Sequence, residues 1–150
     1  AKSSMSVKTF VDTNVLVYGR DAGEPEKQPQ AAAWITYLWE SRNGRLSIQV
    51  LQEYNSTVTT RLKPGLEPAD ARNDIRALFA WRPIPVNGDV IEGEWFIQDR
   101  FKLSWWDSLI VSAAQIGDCG YLLTEDLQAD QLSGNVRILS PFLHSPDVMD

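Results

Sequence analysis

The apolar positions of this chain shift between short unbroken runs and stripes at helical spacing. Thr9-Phe10-Val11 is an unbroken β-prone run that stops at Asp12-Thr13-Asn14, and the apolar stretch 15–18 that follows reads as a short helix. Gly23, Pro25 and Pro29 mark residues 21–29 as a loop, and beyond it Ala31, Trp34, Ile35, Leu38 and Trp39 recur as a helix over 30–41 would have them. Asn43-Gly44 ends that helix, and residues 45–49 alternate enough to form a short strand. A helix over 50–62 then carries the stripe Val50, Tyr54, Val58 and Leu62, until Lys63-Pro64-Gly65 stops it.

Ala71, Ile75, Leu78 and Phe79 put a further helix at 68–81, followed by an extended piece at 83–86. The helix expected at 89–102 is unusual. Val90, Ile97 and Phe101 fall on one side and Ile91 and Trp95 on another, so it is either sandwiched or part of a contact between subunits. A helix at 104–117, a strand at 121–124 and a last strand at 136–139 complete the pattern, with no internal repeat. Strands alternating with helices predict one α/β domain over 1–150, built on a short, mainly parallel sheet covered on both faces. Ala1–Ser4, ahead of Met5, are expected to be an appendage to that domain.

Composition narrows the class. A chain of 150 residues that is 43% hydrophobic suits one domain with a sizeable core. The single cysteine, Cys119, excludes an internal disulfide framework and a cysteine-rich zinc site, and with no apolar run of membrane-spanning length it favours a cytoplasmic protein without a membrane partner. Twenty acidic against fourteen basic residues leave a net charge of −6, which opposes nucleic-acid binding unless the acids are gathered around bound cations.

Four acids fall where ligands collect in parallel α/β sheets, outside the carboxyl ends of the strands. Asp12 follows the first strand, Asp126 follows the strand at 121–124, Glu53 is expected in the first turn of the helix after the second strand, and Asp107 lies in the first turn of the helix at 104–117. Singly, each has an ordinary reading as helix cap, capping-box partner, turn residue or solvated side chain. Together they repel, at about 3 kcal/mol for each pair ~5 Å apart in an effective dielectric of ~20. Lys and Arg are absent from the immediate sequence neighbourhood of all four, and the one histidine, His144, lies in the tail. A hard divalent cation, Mg²⁺ or Mn²⁺, held by these oxygens is the compensation that remains, and it suits metal-assisted hydrolysis of a phosphodiester.

The strings Phe10-Val11-Asp12-Thr13-Asn14-Val15-Leu16-Val17-Tyr18, Gln49-Val50-Leu51-Gln52-Glu53-Tyr54, Leu103-Ser104-Trp105-Trp106-Asp107-Ser108-Leu109-Ile110 and Leu122-Leu123-Thr124-Glu125-Asp126-Leu127 resemble the four signature segments of PIN-domain nucleases. The branch they look most like is the VapC-type toxins of bacterial toxin–antitoxin pairs. The resemblance implies a three-layer α/β/α fold and endoribonuclease activity with Mg²⁺ or Mn²⁺, leaving a 5′-phosphate and a 3′-hydroxyl. It also implies a homodimer and an antitoxin that blocks the site. On this match Asp12, Glu53, Asp107 and Asp126 are the metal-binding acids, and Asn14 and Thr124 hold the acids or a water in place. Ser108 stands where the family more often has alanine, and Glu125, next to Asp126, competes for the place of fourth ligand.

Three other readings compete. A phosphoacceptor domain needs paired acids after the first strand and a lysine after a late one; this chain offers Asp12-Thr13-Asn14 and Arg137 instead. A non-catalytic interaction module would retain the acids only as caps. A PIN ribonuclease of RNA maturation or decay would share the chemistry without the antitoxin. Arg61 and Lys63 are the first candidates for gripping RNA, and the six tryptophans are assigned to packing or a subunit interface before base stacking.

Overall fold

The first two strands are short because helices start within a few residues of their ends. The computed structural model describes residues 7–128 and 132–149. The expected appendage at 1–4 lies outside them. Thr9–Val11 (β1) is fully buried and ends at Asp12, whose carboxylate accepts from the Thr13 N–H and caps the helix Thr13–Arg20 (α1). Lys27–Ser41 (α2) begins three residues before the start expected at 30, because Pro29 sits in a first turn whose N–H groups have no partner within the helix. Gly44–Arg45 (β2) is all that forms of the strand expected at 45–49. Ser47 is extended and its hydroxyl accepts from the Val50 N–H at 3.4 Å, so the helix Ile48–Thr60 (α3) starts at once.

Pro68–Leu78 (α4) has proline at its start, and the last turn of the helix expected at 68–81 tightens into a 3₁₀ turn, Phe79–Trp81. The extended piece at 83–86 contributes one parallel bridge, Ser47 to Ile84. Gly88–Phe101 (α5) is capped by the Asn87 side chain and Trp105–Ile116 (α6) by Ser104. Tyr121–Leu123 (β3), Leu132–Ser133 (β4) and Val136–Leu139 (β5) follow, and a 3₁₀ turn lies at Pro146–Met149. The pattern of apolar residues misses β4, which is only two residues long. Its hairpin turn works because Gly134 takes φ of 60°, as a glycine-first two-residue turn requires.

The sheet order is β2-β1-β3-β5-β4, with β2, β1, β3 and β5 parallel and β4 antiparallel on one edge. Among the described residues the six helices fall into two groups: α1 packs on α2 and α3 with α4 against α3, while α5 pairs with α6, which lies on β3 and β5. This is the three-layer α/β/α arrangement. Phe10, Trp34, Leu38, Leu46, Ile97, Ile110 and Leu122 are fully buried in one continuous core, each contributing about 1.5–3 kcal/mol of apolar burial. The stripe Val50, Tyr54, Val58 and Leu62 is buried as its spacing predicts. On α5, Val90 and Ile97 are buried whereas Trp95 and Phe96 remain open to solvent, so the helix is not sandwiched within the monomer. No described helix is long and apolar enough to cross a membrane.

Close approach of α5 to α6 depends on Gly93. A Cβ there would lie 2.5 Å from Ser112 Oγ, and that buried hydroxyl donates to the Val90 carbonyl at 2.7 Å. Gly93→Ala should therefore destabilise the fold by about 1–2 kcal/mol despite its better helix propensity, lowering Tm by about 2–8 °C. The double variant Gly93→Ala, Ser112→Ala makes room and should lose less than the sum of the single changes. Additive losses in thermal melts would show that the two positions do not limit each other.

Candidate active site

Parallel pairing of β1 with β3 sets Val11 opposite Leu123, so the next residues, Asp12 and Thr124, emerge side by side at the carboxyl edge of the sheet. The Asp12 N–H donates to the Leu123 carbonyl at 3.0 Å, and the Thr124 N–H to the Leu139 carbonyl at 3.0 Å, which fixes the level of both. Asp12 is only 3% exposed. Its Oδ1 accepts from the Thr13 N–H at 2.7 Å, and its Oδ2 accepts from the Thr124 hydroxyl at 2.8 Å. The Asn14 amide, in the first turn of α1, reaches across: Nδ2 donates to Asp126 Oδ2 at 3.0 Å and stands 3.3 Å from Thr124 Oγ1 and 3.4 Å from Asp12 Oδ2. Thr124 Oγ1 also accepts from the Asp126 N–H at 3.1 Å. Asp12, Asn14, Thr124 and Asp126 are thus one hydrogen-bonded group.

Glu53 lies in the second turn of α3, not the first, because that helix starts two residues earlier than its stripe suggests. Half-buried, it faces the same cleft of 370 Å³ as Asp12, Asn14 and Asp126. Asp107 is in the first turn of α6, where its N–H, not its carboxylate, donates to the capping Ser104 hydroxyl at 3.1 Å. Its carboxylate is near enough to feel the charge of Asp126, although it does not line the cleft.

The electrostatics follow from this crowding. Burial pushes the Asp12 carboxyl up to about 7; the bonds from Thr124 and Thr13 hold it down in part, and the charges of Asp126 and Glu53 raise it further. Asp107 is also raised, by burial first, restrained by hydrogen bonding to Ser104 and pushed further by Asp126. The donors are all oxygens, and each raised carboxyl lies beside other acids, a combination whose chemistry fits a hard divalent cation. Their spacing is looser than a finished ligand set: among the described residues no three His, Cys, Asp or Glu side chains are close enough together to hold a metal ion.

The fold adds residues that the motifs leave out. Asp21, Glu24 and Thr57 line the cleft from outside the recognised strings, and Tyr18 and Trp106 line it from within them without a role assigned by the match. Glu125, the rival to Asp126, turns the other way: the Tyr18 hydroxyl donates to its Oε2 at 2.6 Å and Lys27 forms an ion pair with its Oε1. Burial alone would raise the Glu125 carboxyl, but these two partners bring it below the ordinary carboxylate range. Ser108 is fully buried, and among the described residues its hydroxyl has no hydrogen-bond partner, which is the environment an alanine would fill. Arg20 pairs with Asp74, which also accepts from the Tyr54 hydroxyl at 2.5 Å.

A family model for the PIN domain matches residues 9–135, and the chain belongs to that family. Seven chains among solved structures match its fold, two of them as follows. A toxin–antitoxin complex from Klebsiella pneumoniae superposes with a TM-score of 0.64 at 19% identity, over 89% of this chain and 98% of that one. The Mycobacterium tuberculosis toxin VapC20, which cleaves the sarcin–ricin loop, superposes with a TM-score of 0.59 at 22% identity, over 77% of this chain and 87% of its own. No curated protein sequence matches the chain.

Because the carboxyl of Asp12 is raised from 3.8 to about 7 on folding, it contributes stability that is fully present below pH ~4 and is lost as pH rises towards 7. Asp12→Asn should accordingly raise the Tm of the metal-free protein by several degrees at pH 8 and change it little at pH ~5. Melts in chelator that show the same shift at both pH values, or a loss at pH 8, would place the role of Asp12 in capping alone.

Proposed function

We propose that this chain is a metal-dependent endoribonuclease and the toxin of a toxin–antitoxin pair. The observation that supports this most directly is the buried Asp12 carboxyl, bonded to Thr124 and crowded by Asp126 and Glu53 at the mouth of a cleft, in a chain of the PIN family. Asp12, Glu53, Asp107 and Asp126 are the residues that would hold Mg²⁺ or Mn²⁺. When bound, the ion supplies Lewis acidity that makes water a nucleophile near neutral pH and offsets charge on the leaving 3′ oxygen.

The chain's own residues prepare that site. Thr124 and the Thr13 N–H fix both oxygens of Asp12, so its carboxylate keeps one orientation whether or not it carries a proton. Asn14 holds Asp126 against the same edge. Gathering the acids also answers the objection from net charge, since phosphates then approach a site neutralised by its cation. The exposed Trp95 and Phe96 on α5 suit a subunit contact, in keeping with a homodimer, and the likeness to a toxin–antitoxin complex favours an antitoxin partner.

Incubation with single-stranded RNA and Mn²⁺ should give 5′-phosphate products, with cleavage abolished by chelator. Asn14→Ala should lower the rate about 10–100-fold and Asp12→Asn by more. As protons compete for Asp12, the rate should fall about tenfold per pH unit below 7. Cleavage that survives chelator, or a rate unchanged from pH 7 to 5, would refute the proposal. Expression should arrest growth; cleavage without arrest would move the protein to RNA maturation or decay.

A further inference from the structure

Residues 124–126 send three consecutive side chains to three different partners. Thr124 bonds Asp12, Asp126 bonds Asn14, and Glu125 points away to α1 and α2. Asn14 also touches the middle residue, its Oδ1 accepting from the Glu125 N–H at 3.4 Å. Glu125 therefore borders the acid cleft, which Tyr18, its hydrogen-bond donor, itself lines.

What holds Glu125 back is a seat built around Lys27. The ammonium pairs with Glu125, lies 3.4 Å from the Tyr18 hydroxyl oxygen, and stands 5.0 Å and 5.2 Å from the ring centroids of Tyr18 and Phe142. Those two rings meet edge to face at 5.2 Å, so the seat is assembled from α1, α2 and the segment after β5. A partly exposed ion pair stabilises a fold little. Its consequence here is directional: it decides which carboxylate of a two-acid turn faces the cleft.

We propose that Lys27 is a positioning residue that keeps Glu125 out of the acid cleft, so that this turn presents Asp126 alone. The inference rests on the reading that the cleft takes a divalent cation. It needs no contact between Lys27 and that ion, and it explains how two adjacent acids can serve different ends. Without Lys27, Glu125 becomes an additional carboxylate at a site already crowded with them.

The test is a double-mutant cycle read by calorimetric titration of the full chain with MnCl₂ alone. Lys27→Met should tighten Mn²⁺ binding about fivefold or more, because Glu125 is released towards the cleft, while Lys27→Arg should stay within about twofold of the parent. In a Glu125→Gln background the same Lys27→Met change should have less than about a twofold effect. Tyr18→Phe, which leaves the ion pair intact, should shift affinity in the same direction by less. Equal tightening in both backgrounds would mean that only the loss of a positive charge matters, and no tightening in the parent background would mean that Lys27 is merely a surface partner; either overturns the inference. A parent chain that cleaves RNA and binds Mn²⁺ alongside an indistinguishable Lys27→Met variant would sink the positioning role alone. A parent that takes up no Mn²⁺ would sink the nuclease reading with it.

Discussion

Burying the Asp12 carboxyl at the end of a parallel strand is the constraint to which the rest of this molecule answers. A carboxylate out of water is tolerated only if its oxygens are bonded and its charge is neutralised. Thr13 and Thr124 meet the first requirement. Among the described residues the second is not met by any base: the charges that bear on Asp12 are those of Asp126 and Glu53, which act in the wrong direction. Burial and those charges raise the Asp12 carboxyl to about 7, so near neutral pH a proton competes for it, and on the proposed function a cation would take the proton's place. On that proposal, the readiness of the site for a cation has a cost in the stability of the metal-free chain.

The sheet makes such crowding affordable in space, if not in charge. Because β1 and β3 are adjacent and parallel, their carboxyl ends lie on one edge, and a register that pairs Val11 with Leu123 brings Asp12 level with Thr124. The helices after β1 and β2 then start at that edge, so Asn14 and Glu53 reach it from separate directions. The core beneath, with Phe10 and Leu122 fully buried on neighbouring strands, fixes the distance between strands and with it the distance between acids.

The two acids of the turn after β3 show how little residue type decides. Asp126 and Glu125 have the same chemistry and adjacent positions, yet one is exposed and bonded to an asparagine beside the cleft while the other is locked against a lysine and a tyrosine. The basic partner comes from position 27, nearly a hundred residues earlier. A base missing from the local string of an acid is therefore not always missing from its surroundings, as Lys27 beside Glu125 shows.

Local chemistry was legible without coordinates. The caps at Asp12 and Ser104, the stripe from Val50 to Leu62 and the strand at 136–139 depend on neighbours within a few residues, and each lies where spacing and side-chain type put it. Helix starts slipped by two or three residues where a cap or a tolerated proline, rather than the apolar stripe, marks the first turn, as at Ser47 and Pro29. Pairing between distant segments was decided only by the tertiary structure: which strands are neighbours, that Thr124 bonds Asp12, that Lys27 claims Glu125, and that one side of α5 stays uncovered. The physical reason is that a cap or a stripe is a property of consecutive residues, whereas the environment that sets a carboxylate's charge is made of side chains brought together only when the sheet closes its register.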